Sequence, residues 1–559
     1  MGIHRSLFLR ASRAINRQFL RLSSIITDCL SPTTSFTPTY LGSNTRNNVA
    51  LREKESAEDS QGECKSLFAS ITELCGTGSH FGWVTIGALP DEVLLEMFGF
   101  YVNEHGTGHV HELERDRKWR TLVHVCRRWR NIVFASPRRL NLQLLCTSAR
   151  PVRKMLDIWP ALPIAIWCIG NGSLLHGDGE DDIIAALEHN DRICQIMLWR
   201  VSSWQLGRFA AAMHKPLPAL TSLHLHLGNN AQVPVIPDSF LGGSAPCLRH
   251  LHLSSFSFPA LPKLLISATD LVYLNLWDIP HSGYISPEAM ATCLSVLTKL
   301  EALVLEFHSP RPSSDLENQY SPLLPRSILP ALTSLQFRGV SKYLEDLVSR
   351  IDVPLLHYIT LTFLNQLHFD TPHLVRFLSR TEKLSAFNRA NLTFFPLSSD
   401  IIFFPQSGPA DYLRVVLKIS YYREADRLLS SLAQVCGSFL SPMSTTLESL
   451  DINDDCLSDW PDDIENTRWL ELLHPFIAVK NLHLDAKVVP RIAHALQGLV
   501  WERVTEVLPA LQNIFLEPPG PHPKPSSSRP VPEAIEQFAA ARQLSGHPVV
   551  VHLEGEAGG

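Results

Sequence analysis

The chain has 559 residues, of which 45% are hydrophobic and 19% are charged, and its formal net charge is -6 at pH 7. This length exceeds one ordinary core and predicts either several domains or an elongated array. The composition is that of a folded protein rather than a disordered one, and the small acidic excess gives no support for nucleic-acid binding.

Residues 1–83 lack regular apolar spacing and are predicted to form a disordered basic tail and linker. Arginines recur in this tail before the first acidic residue, Asp28. That is typical of a mitochondrial transit peptide, so a mitochondrial location stays open beside a cytoplasmic and/or nuclear one. The 11 cysteines include no Cys-x-x-Cys pair, which favours reduced thiols in an intracellular protein. No apolar run reaches the roughly 18–20 residues that span a bilayer, so integral membrane association is not expected.

A helix is predicted to begin at Pro90. Proline fits the first turn, where its missing N–H would have no partner in any case, and Asp91 and Glu92 follow at the positive end of the helix dipole. The apolar face comprises Val93, Leu94, Met97, Phe98 and Tyr101, with Leu95 beside it.

A second helical stretch is predicted over about residues 118–134, and it ends before Pro137 because the residue preceding a proline disfavours helix. Its apolar positions, three and four apart, are Trp119, Leu122, Val125, Cys126, Trp129, Ile132 and Val133. The stretch has room for two helices with a bend near residues 125–126. The polar segment 102–117 that separates it from the first helix is predicted to be a solvated loop.

Residues 84–137 therefore form a small helical module with wide apolar faces, and we expect a partner chain to cover part of that surface. The module's three signatures are Leu89-Pro-Asp-Glu-Val-Leu-Leu-Glu-Met-Phe, Trp119-Arg-Thr-Leu-Val-His-Val-Cys-Arg-Arg-Trp-Arg-Asn-Ile-Val and Ser136-Pro. Their combination resembles the F-box motif, and the chain is most similar to the F-box/leucine-rich-repeat-like proteins of mushroom-forming fungi.

The resemblance implies that this module docks on the Skp adaptor subunit, which a cullin holds in an SCF-type ubiquitin ligase. It assigns the adaptor face to Leu89, Pro90, Leu94, Leu95, Phe98, Leu122, Val125, Cys126, Trp129 and Ile132. Some of these side chains must close the module's own core instead, and the sequence does not divide the two sets. Segment 102–117 is longer than is usual in the motif, so adaptor binding would weaken if it disturbed the pairing of the helices.

Signatures of catalysis and of cofactor binding are absent from the sequence: it contains no phosphate-binding loop, no dinucleotide fingerprint and no nucleophile elbow. Three histidines of segment 102–117, with His124 and Cys126, suggest zinc, but a structural zinc site usually needs four fixed ligands. Cys126 is expected to be packed in the apolar stripe of its helix. We therefore expect neither an enzyme nor a bound metal or cofactor.

Residues 190–553 repeat a pattern of apolar positions with the spacing of a short strand, and they predict an α/β fold in which parallel strands alternate with helical returns. Copies begin at Ile193, Leu220, Leu248, Leu271, Leu300, Leu332, Leu356, Tyr412, Leu447, Val479 and Leu511. This is an irregular leucine-rich-repeat-like solenoid. The stretch around 384–410 fits the repeat poorly, whereas residues 531–542 and 548–553 predict a final helix and strand.

The remaining segments are assigned by exclusion. Residues 138–189 are a connecting region or first capping unit, 518–530 are a proline-rich loop within the array, and 554–559 are a tail.

Stacked parallel strands offer an extended surface suited to recognising a protein substrate, whose identity the sequence does not give. The side chains that face outward between the buried leucines would form it. They include His224, His226, His252, Tyr273 and Trp277, which are the predicted substrate-binding residues, and also His483.

Overall fold

The computed structural model describes most of the chain after residue 88. The described ranges are 89–103, 109–169, 178–228, 233–308, 326–364, 366, 369–381, 387–395, 398–405, 414–420, 425–440, 446–455, 466–499, 501–517 and 532–553. The predicted tail and linker, the proline-rich loop and residues 554–559 lie outside them. The described residues form two compact units: one contains those up to Leu145 together with Leu156–Pro163, and the other contains Cys146–Met155 and those from Ile164 onward.

In its described residues, the first unit contains the helices α1 (Asp91–Asn103), α2 (His109–Val125) and α3 (Arg127–Ala135). Their core includes Leu94, Phe98, Trp119 and Val133, which are almost completely buried. The predicted bend is confirmed, because Cys126 has an extended backbone conformation (φ -157°, ψ 169°) between α2 and α3.

Two details of the helical prediction were wrong. Segment 102–117 is not a loop throughout, because α2 already begins at His109. Glutamate, arginine and lysine favour helix there, and Asp116 accepts a hydrogen bond from Arg120 Nε at 3.1 Å, one turn further along. Cys126 is exposed rather than packed, since its extended backbone takes it out of the helical stripe.

The segment that follows crosses the boundary between the two units. It contains β1 (Leu144–Thr147) and α4 (Val152–Ile158).

The second unit contains a long sheet whose first strands are parallel and consecutive. They are β2 (Ile164–Ile169), β3 (Ile193–Val201), β4 (Ser222–Leu227), β5 (His250–Ser254), β6 (Tyr273–Ile279), β7 (Ala302–Phe307), β9 (Ser334–Gly339) and β11 (Tyr358–Leu364). β8 (Ser327–Ile328) and β10 (Ile351–Asp352) pair separately. The leucine pattern begins at about residue 190, but the sheet also includes β2, which lies before that residue.

Helices return the chain between most of these strands, as the leucine spacing predicts. They are α5 (Asp178–Leu187), α6 (Ser203–Ala212), α7 (Leu261–Ser267), α8 (Pro287–Leu294), α9 (Ser341–Val348) and α10 (Pro372–Arg380). Short 3₁₀ turns occur at Phe240–Gly243 and His281–Gly283. The unit is thus an α/β, leucine-rich-repeat-like solenoid.

The poorly matching stretch departs from the parallel arrangement. The sheet continues in the order β11, β14 (Arg414–Ser420), β13 (Ser398–Pro405), β12 (Phe387–Phe395) and β15 (Ser449–Asp454), and β13 is antiparallel to both of its neighbours. A parallel connection needs a dozen or more residues, whereas only residues 396–397 separate β12 from β13. The antiparallel pairing follows from that short connection.

The last strands are parallel again. β16 (Asn481–Leu484), β17 (Asn513–Leu516) and β18 (Val550–Leu553) follow β15, with α11 (Ala425–Leu440), α12 (Asn466–Leu473), α13 (Val489–Gln497), a 3₁₀ turn (Trp501–Thr505) and α14 (Glu533–Leu544) between strands. The predicted final helix and strand are confirmed as α14 and β18. In the part of the chain described, no helix has both the length and the apolar composition needed to cross a membrane.

The core of the solenoid is built from the repeated leucines. Leu223, Leu225, Leu251, Leu274 and Leu276, for example, are at most 2% exposed. Each such side chain contributes about 1.5–3 kcal/mol on burial. Because side chains alternate along a strand, fixing these leucines inward also fixes which residues face outward.

Candidate functional site

The helical module divides the ten predicted adaptor-facing residues into two sets. The residues that close the module's own core are Leu94, Leu95, Phe98, Leu122 and Ile132. The residues that are exposed or half-buried are Leu89, Pro90, Val125, Cys126 and Trp129. The structure thus separates the buried residues of this set from the accessible ones.

Most of the accessible residues lie where α1 and α3 begin. Arg128 holds these two ends together, because its Nη2 donates to the Leu89 carbonyl oxygen at 2.5 Å and to Asp91 Oδ1 at 2.6 Å. Trp129 packs on Phe98 of α1, with ring centroids 4.7 Å apart. Leu89, Pro90, Cys126 and Trp129 therefore belong to one partly apolar end of the module.

On the outward face of the solenoid, register places the predicted residues in rows across neighbouring strands. His224 is opposite His252, and His226 is opposite Trp199 of β3. Tyr273 lies in the next row, opposite His250, and its hydroxyl accepts a hydrogen bond from Asn275 Nδ2 at 2.9 Å.

Four of the five predicted residues come together with one that the prediction missed. Trp199 and His226 stack at 4.1 Å between ring centroids, and His226 and Trp277 at 5.7 Å. His252 lies 5.7 Å from His224 and 6.2 Å from Trp199. We call Trp199, His224, His226, His252 and Trp277 the first ring stack. Applying the same alternation rule to β3 would have found Trp199, which lies one position beyond the buried Leu198.

Burial in the stack lowers the pKa of two of its imidazoles, His226 and His252. Burial, followed by the charges of His224 and His226, lowers the pKa of His252 to about 4. Burial also lowers the pKa of His226, and nearby Arg200 adds to that effect while Asp278 opposes it. His252, which is 8% exposed, was predicted to lie open on the surface; it faces outward, but its neighbours' rings cover it.

The middle of the outward face carries ion pairs in which a buried acid meets a more accessible base. The pairs are Glu306 with Arg338 (4.0 Å), Asp400 with Lys418 (2.5 Å) and Asp451 with Arg389 (2.6 Å). Gln336 Nε2 also donates to Glu306. Arg338, Lys418 and Arg389 therefore each lie beside a carboxylate of the same chain.

A second ring stack lies towards the C-terminal end of the sheet. Phe515 lies between His483 and His552, at centroid distances of 4.4 and 4.7 Å. His483 was among the residues predicted to face outward, and register places it in the same row as Asp451. Aromatic clusters therefore occur on both sides of the charged middle.

One small cavity and several possible metal ligands lie among the residues that the structure describes. A cavity of about 20 Å³, lined by Leu253, Phe258 and Trp277 among others, has room for about one water molecule. Within the described ranges, no group of three histidine, cysteine or acidic residues is placed to hold a metal ion. The histidines at 105, 109 and 111 carry no described side chains.

No protein-family model and no curated protein matches this chain. Among solved structures, it is similar to the leucine-rich repeat-containing protein LegL7 from Legionella pneumophila, with 14% identity and a TM-score of 0.23. That match covers 71% of this chain and 98% of LegL7. The repeat-like architecture described above rests on the strand order and register of this chain itself.

Proposed function

We propose that this chain is a substrate-recognition subunit of an SCF-type E3 ubiquitin ligase, of the kind found in mushroom-forming fungi. The helical module would bind the Skp adaptor, and through it a cullin, while the outward strand face binds a target protein. Ubiquitin transfer would occur on other subunits, so the chain itself needs no catalytic group. Its contribution would be proximity, since two binding sites on one scaffold raise the local concentration of a target lysine.

One observation carries this proposal. The F-box-like sequence leaves Leu89, Pro90, Cys126 and Trp129 accessible at one end of the module, where Arg128 ties α1 to α3. A partly apolar patch of this kind suits a helical partner surface. The strand face supports the second half of the proposal, because clustered Trp and His side chains are typical of protein interfaces.

Co-expression with the Skp adaptor tests the ligase role. We expect the intact chain to retain the adaptor on purification and the Cys126→Glu variant to lose it, because a charge would enter the apolar contact without touching the core. Leu113→Ala is the matched control, since it trims an exposed apolar residue of α2. Failure of the intact chain to bind the adaptor would contradict the proposal.

A second function is favoured by one specific observation. Five of the ten predicted adaptor-facing residues, including Leu94 and Phe98, are buried in the module's own core. If the remaining patch is too small for the adaptor, the chain is a non-ligase interaction scaffold that uses the same strand face. A purified complex that contains a bound target but neither adaptor nor cullin would support this alternative.

Location offers a further check on the ligase proposal. It implies a cytoplasmic and/or nuclear protein, because the target must meet the ligase there. Observation of a C-terminally tagged full-length chain in mitochondria would contradict this and favour the transit-peptide interpretation of the arginine-rich start.

A further inference from the structure

The helix α3 carries part of the accessible end of the module, yet its own sequence does little to fix its position. It has nine residues, and the side chain of its N-cap residue, Cys126, makes no capping hydrogen bond. A helix this short is marginal in water without tertiary packing, and the extended backbone at Cys126 interrupts the continuity with α2. Contacts with other elements therefore set the direction in which α3 runs.

Two of these contacts lie near the start of α3. Arg128 ties this helix to the start of α1 through the Leu89 carbonyl oxygen, and Arg130 Nε donates to the Val123 carbonyl oxygen of α2 at 3.0 Å. Both arginines are close to the bend at Cys126. They hold the start of α3, so the angle between α2 and α3 depends on contacts further from the bend.

The contacts further from the bend involve a segment that follows the F-box-like sequence. The chain leaves the first unit after Leu145 and returns to it with Leu156–Pro163. In this returning segment, the half-buried ring of Trp159 lies 5.2 Å from that of Trp119 in α2 and 6.3 Å from that of Phe134 in α3, between centroids. Trp119 and Phe134 are themselves 6.4 Å apart. Trp159 thus contacts both helices where they lie beside each other.

Trp159 makes further contacts along α2. The guanidinium carbon of Arg120 lies 5.4 Å from the ring centroid of Trp159 and 5.5 Å from that of Trp119. Arg120 is held in turn by the buried Asp116, which accepts a hydrogen bond from its Nε at 3.1 Å. The ring of His124, one turn further along α2, is 6.1 Å from that of Trp159. The position of Trp159 against α2 is therefore fixed by several groups.

The segment that carries Trp159 has little conformational freedom of its own. Pro160 follows Trp159 directly and Pro163 ends the segment, and a proline fixes its own φ and restricts the residue before it. Leu162 between them is 3% exposed. The Pro163 carbonyl oxygen accepts a hydrogen bond from the Leu144 backbone N–H at 2.7 Å. The segment is thus anchored just beyond Trp159.

We infer that Trp159 is a positioning residue for adaptor binding, because its contacts with α2 and α3 set the angle between these helices. That angle determines where Cys126 and Trp129 lie relative to the start of α1. The inference rests on the proposed binding of the Skp adaptor by the helical module. It extends the functional module to Pro163, beyond the Ser136-Pro137 pair that ends the F-box-like sequence.

Removal of the Trp159 ring would let α3 sample more directions. The apparent affinity for a partner falls with the fraction of molecules in the arrangement that binds it, so we expect Trp159→Ala to bind the adaptor about tenfold more weakly than the intact chain. Trp159→Phe keeps a flat ring beside Trp119 and Phe134, and its affinity should fall by no more than about twofold.

Surface plasmon resonance of the full-length chain on immobilised Skp adaptor tests this inference. Trp204→Ala, which removes an exposed tryptophan of α6, should bind like the intact chain. Leu142→Ala controls for a loss of stability, because Leu142 is 1% exposed and belongs to the same unit as Trp159 but lies outside α1, α2 and α3. At a temperature where circular dichroism shows both variants to be folded, Leu142→Ala should keep the affinity that Trp159→Ala loses.

Two results would overturn the inference. One is equal affinity of Trp159→Ala and the intact chain, and the other is an equal loss in Trp159→Ala and Leu142→Ala, which would show that Trp159 acts through stability alone. If Trp159→Ala does not fold, Trp159→Leu, which fills part of the same volume without a flat ring, should bind about threefold more weakly, and unchanged affinity in that variant would overturn the inference. Adaptor binding that these variants leave unchanged contradicts only this inference, whereas absence of binding by the intact chain contradicts the ligase role as well.

Discussion

The environment of His252 makes the stability of the protein sensitive to acid. Its pKa is about 4 in the folded chain and 6.5 as a free side chain, so the unfolded state binds the proton first as pH falls. Above pH 6.5, His252 makes its full contribution to the free energy of unfolding. This contribution is lost progressively as the pH falls to about 4, and the total loss is about 3 kcal/mol.

Urea denaturation at neutral pH and at about pH 4.5 should therefore show a smaller loss of stability in His252→Phe than in the intact chain. The phenyl ring keeps the stacking partner of His224 but binds no proton. His547→Phe provides the comparison for an exposed histidine. Equal losses in the intact chain and His252→Phe would show that His252 does not titrate as its burial implies.

Arg542 is a cationic residue that is fully buried. Its guanidinium donates to the backbone carbonyl oxygens of Val504, Pro509 and Leu511 at 3.0 to 3.3 Å, and burial lowers its pKa. These bonds connect α14 to the loops before β17.

Replacing Arg542 by Met should leave three buried or part-buried carbonyl groups without this donor. We expect it to lower the free energy of unfolding by about 2–4 kcal/mol. Arg503→Met, which removes only a surface pair with Glu506, should cost about 1 kcal/mol or less. Thermal or urea denaturation of the two variants measures the difference. A cost for Arg542→Met no larger than that for Arg503→Met would contradict the structural role assigned here.

At the scale of elements, the pairing of α1 with α3 positions the accessible end of the helical module. The Arg128–Asp91 pair is largely exposed, so it adds little to stability, but the same guanidinium fixes the Leu89 carbonyl and thus the start of α1.

We expect Arg128→Met to weaken adaptor binding about tenfold while changing the free energy of unfolding by less than about 1 kcal/mol. Surface plasmon resonance with immobilised adaptor gives the affinity, and denaturation gives the stability. Arg127→Met, an exposed neighbour on the same helix, is the control. Unchanged adaptor affinity in Arg128→Met would show that the ends of α1 and α3 do not form the contact.

The sequence predicted whether a segment is a helix or a strand wherever a rule based on neighbouring residues was sufficient. Leucine spacing gave the parallel strands, and the dipole and proline rules placed α1. The exceptions depended on distant partners: β13 pairs with β14 as well as β12, and no local pattern encodes that register. The start of α2 was missed because a polar, glycine-interrupted segment has weak apolar periodicity even where its residues favour helix.

Site prediction was limited by the same physics. Outward residues follow from strand alternation, which is why His224, His226, His252 and Trp277 were found. Their mutual stacking and the burial of His252 depend on register across four strands, which the sequence alone does not fix. Which of the ten residues predicted to face the adaptor are buried likewise depends on how Phe98 and Trp129 pack together.

The proposed function of the whole molecule requires two binding surfaces that can be disabled independently. One is the accessible end of the helical module, and the other is the first ring stack on the solenoid. A change confined to one surface should leave the partners of the other in place, because each unit has a core of its own.

Affinity purification of the full-length chain under proteasome inhibition, with quantitative mass spectrometry, tests this claim most directly. Cys126→Glu should lose the Skp adaptor and cullin but keep the target proteins, whereas Trp277→Ala should keep the adaptor and lose targets. Loss of the same partners by both variants, or purification of the intact chain without adaptor and cullin, would contradict the proposed function.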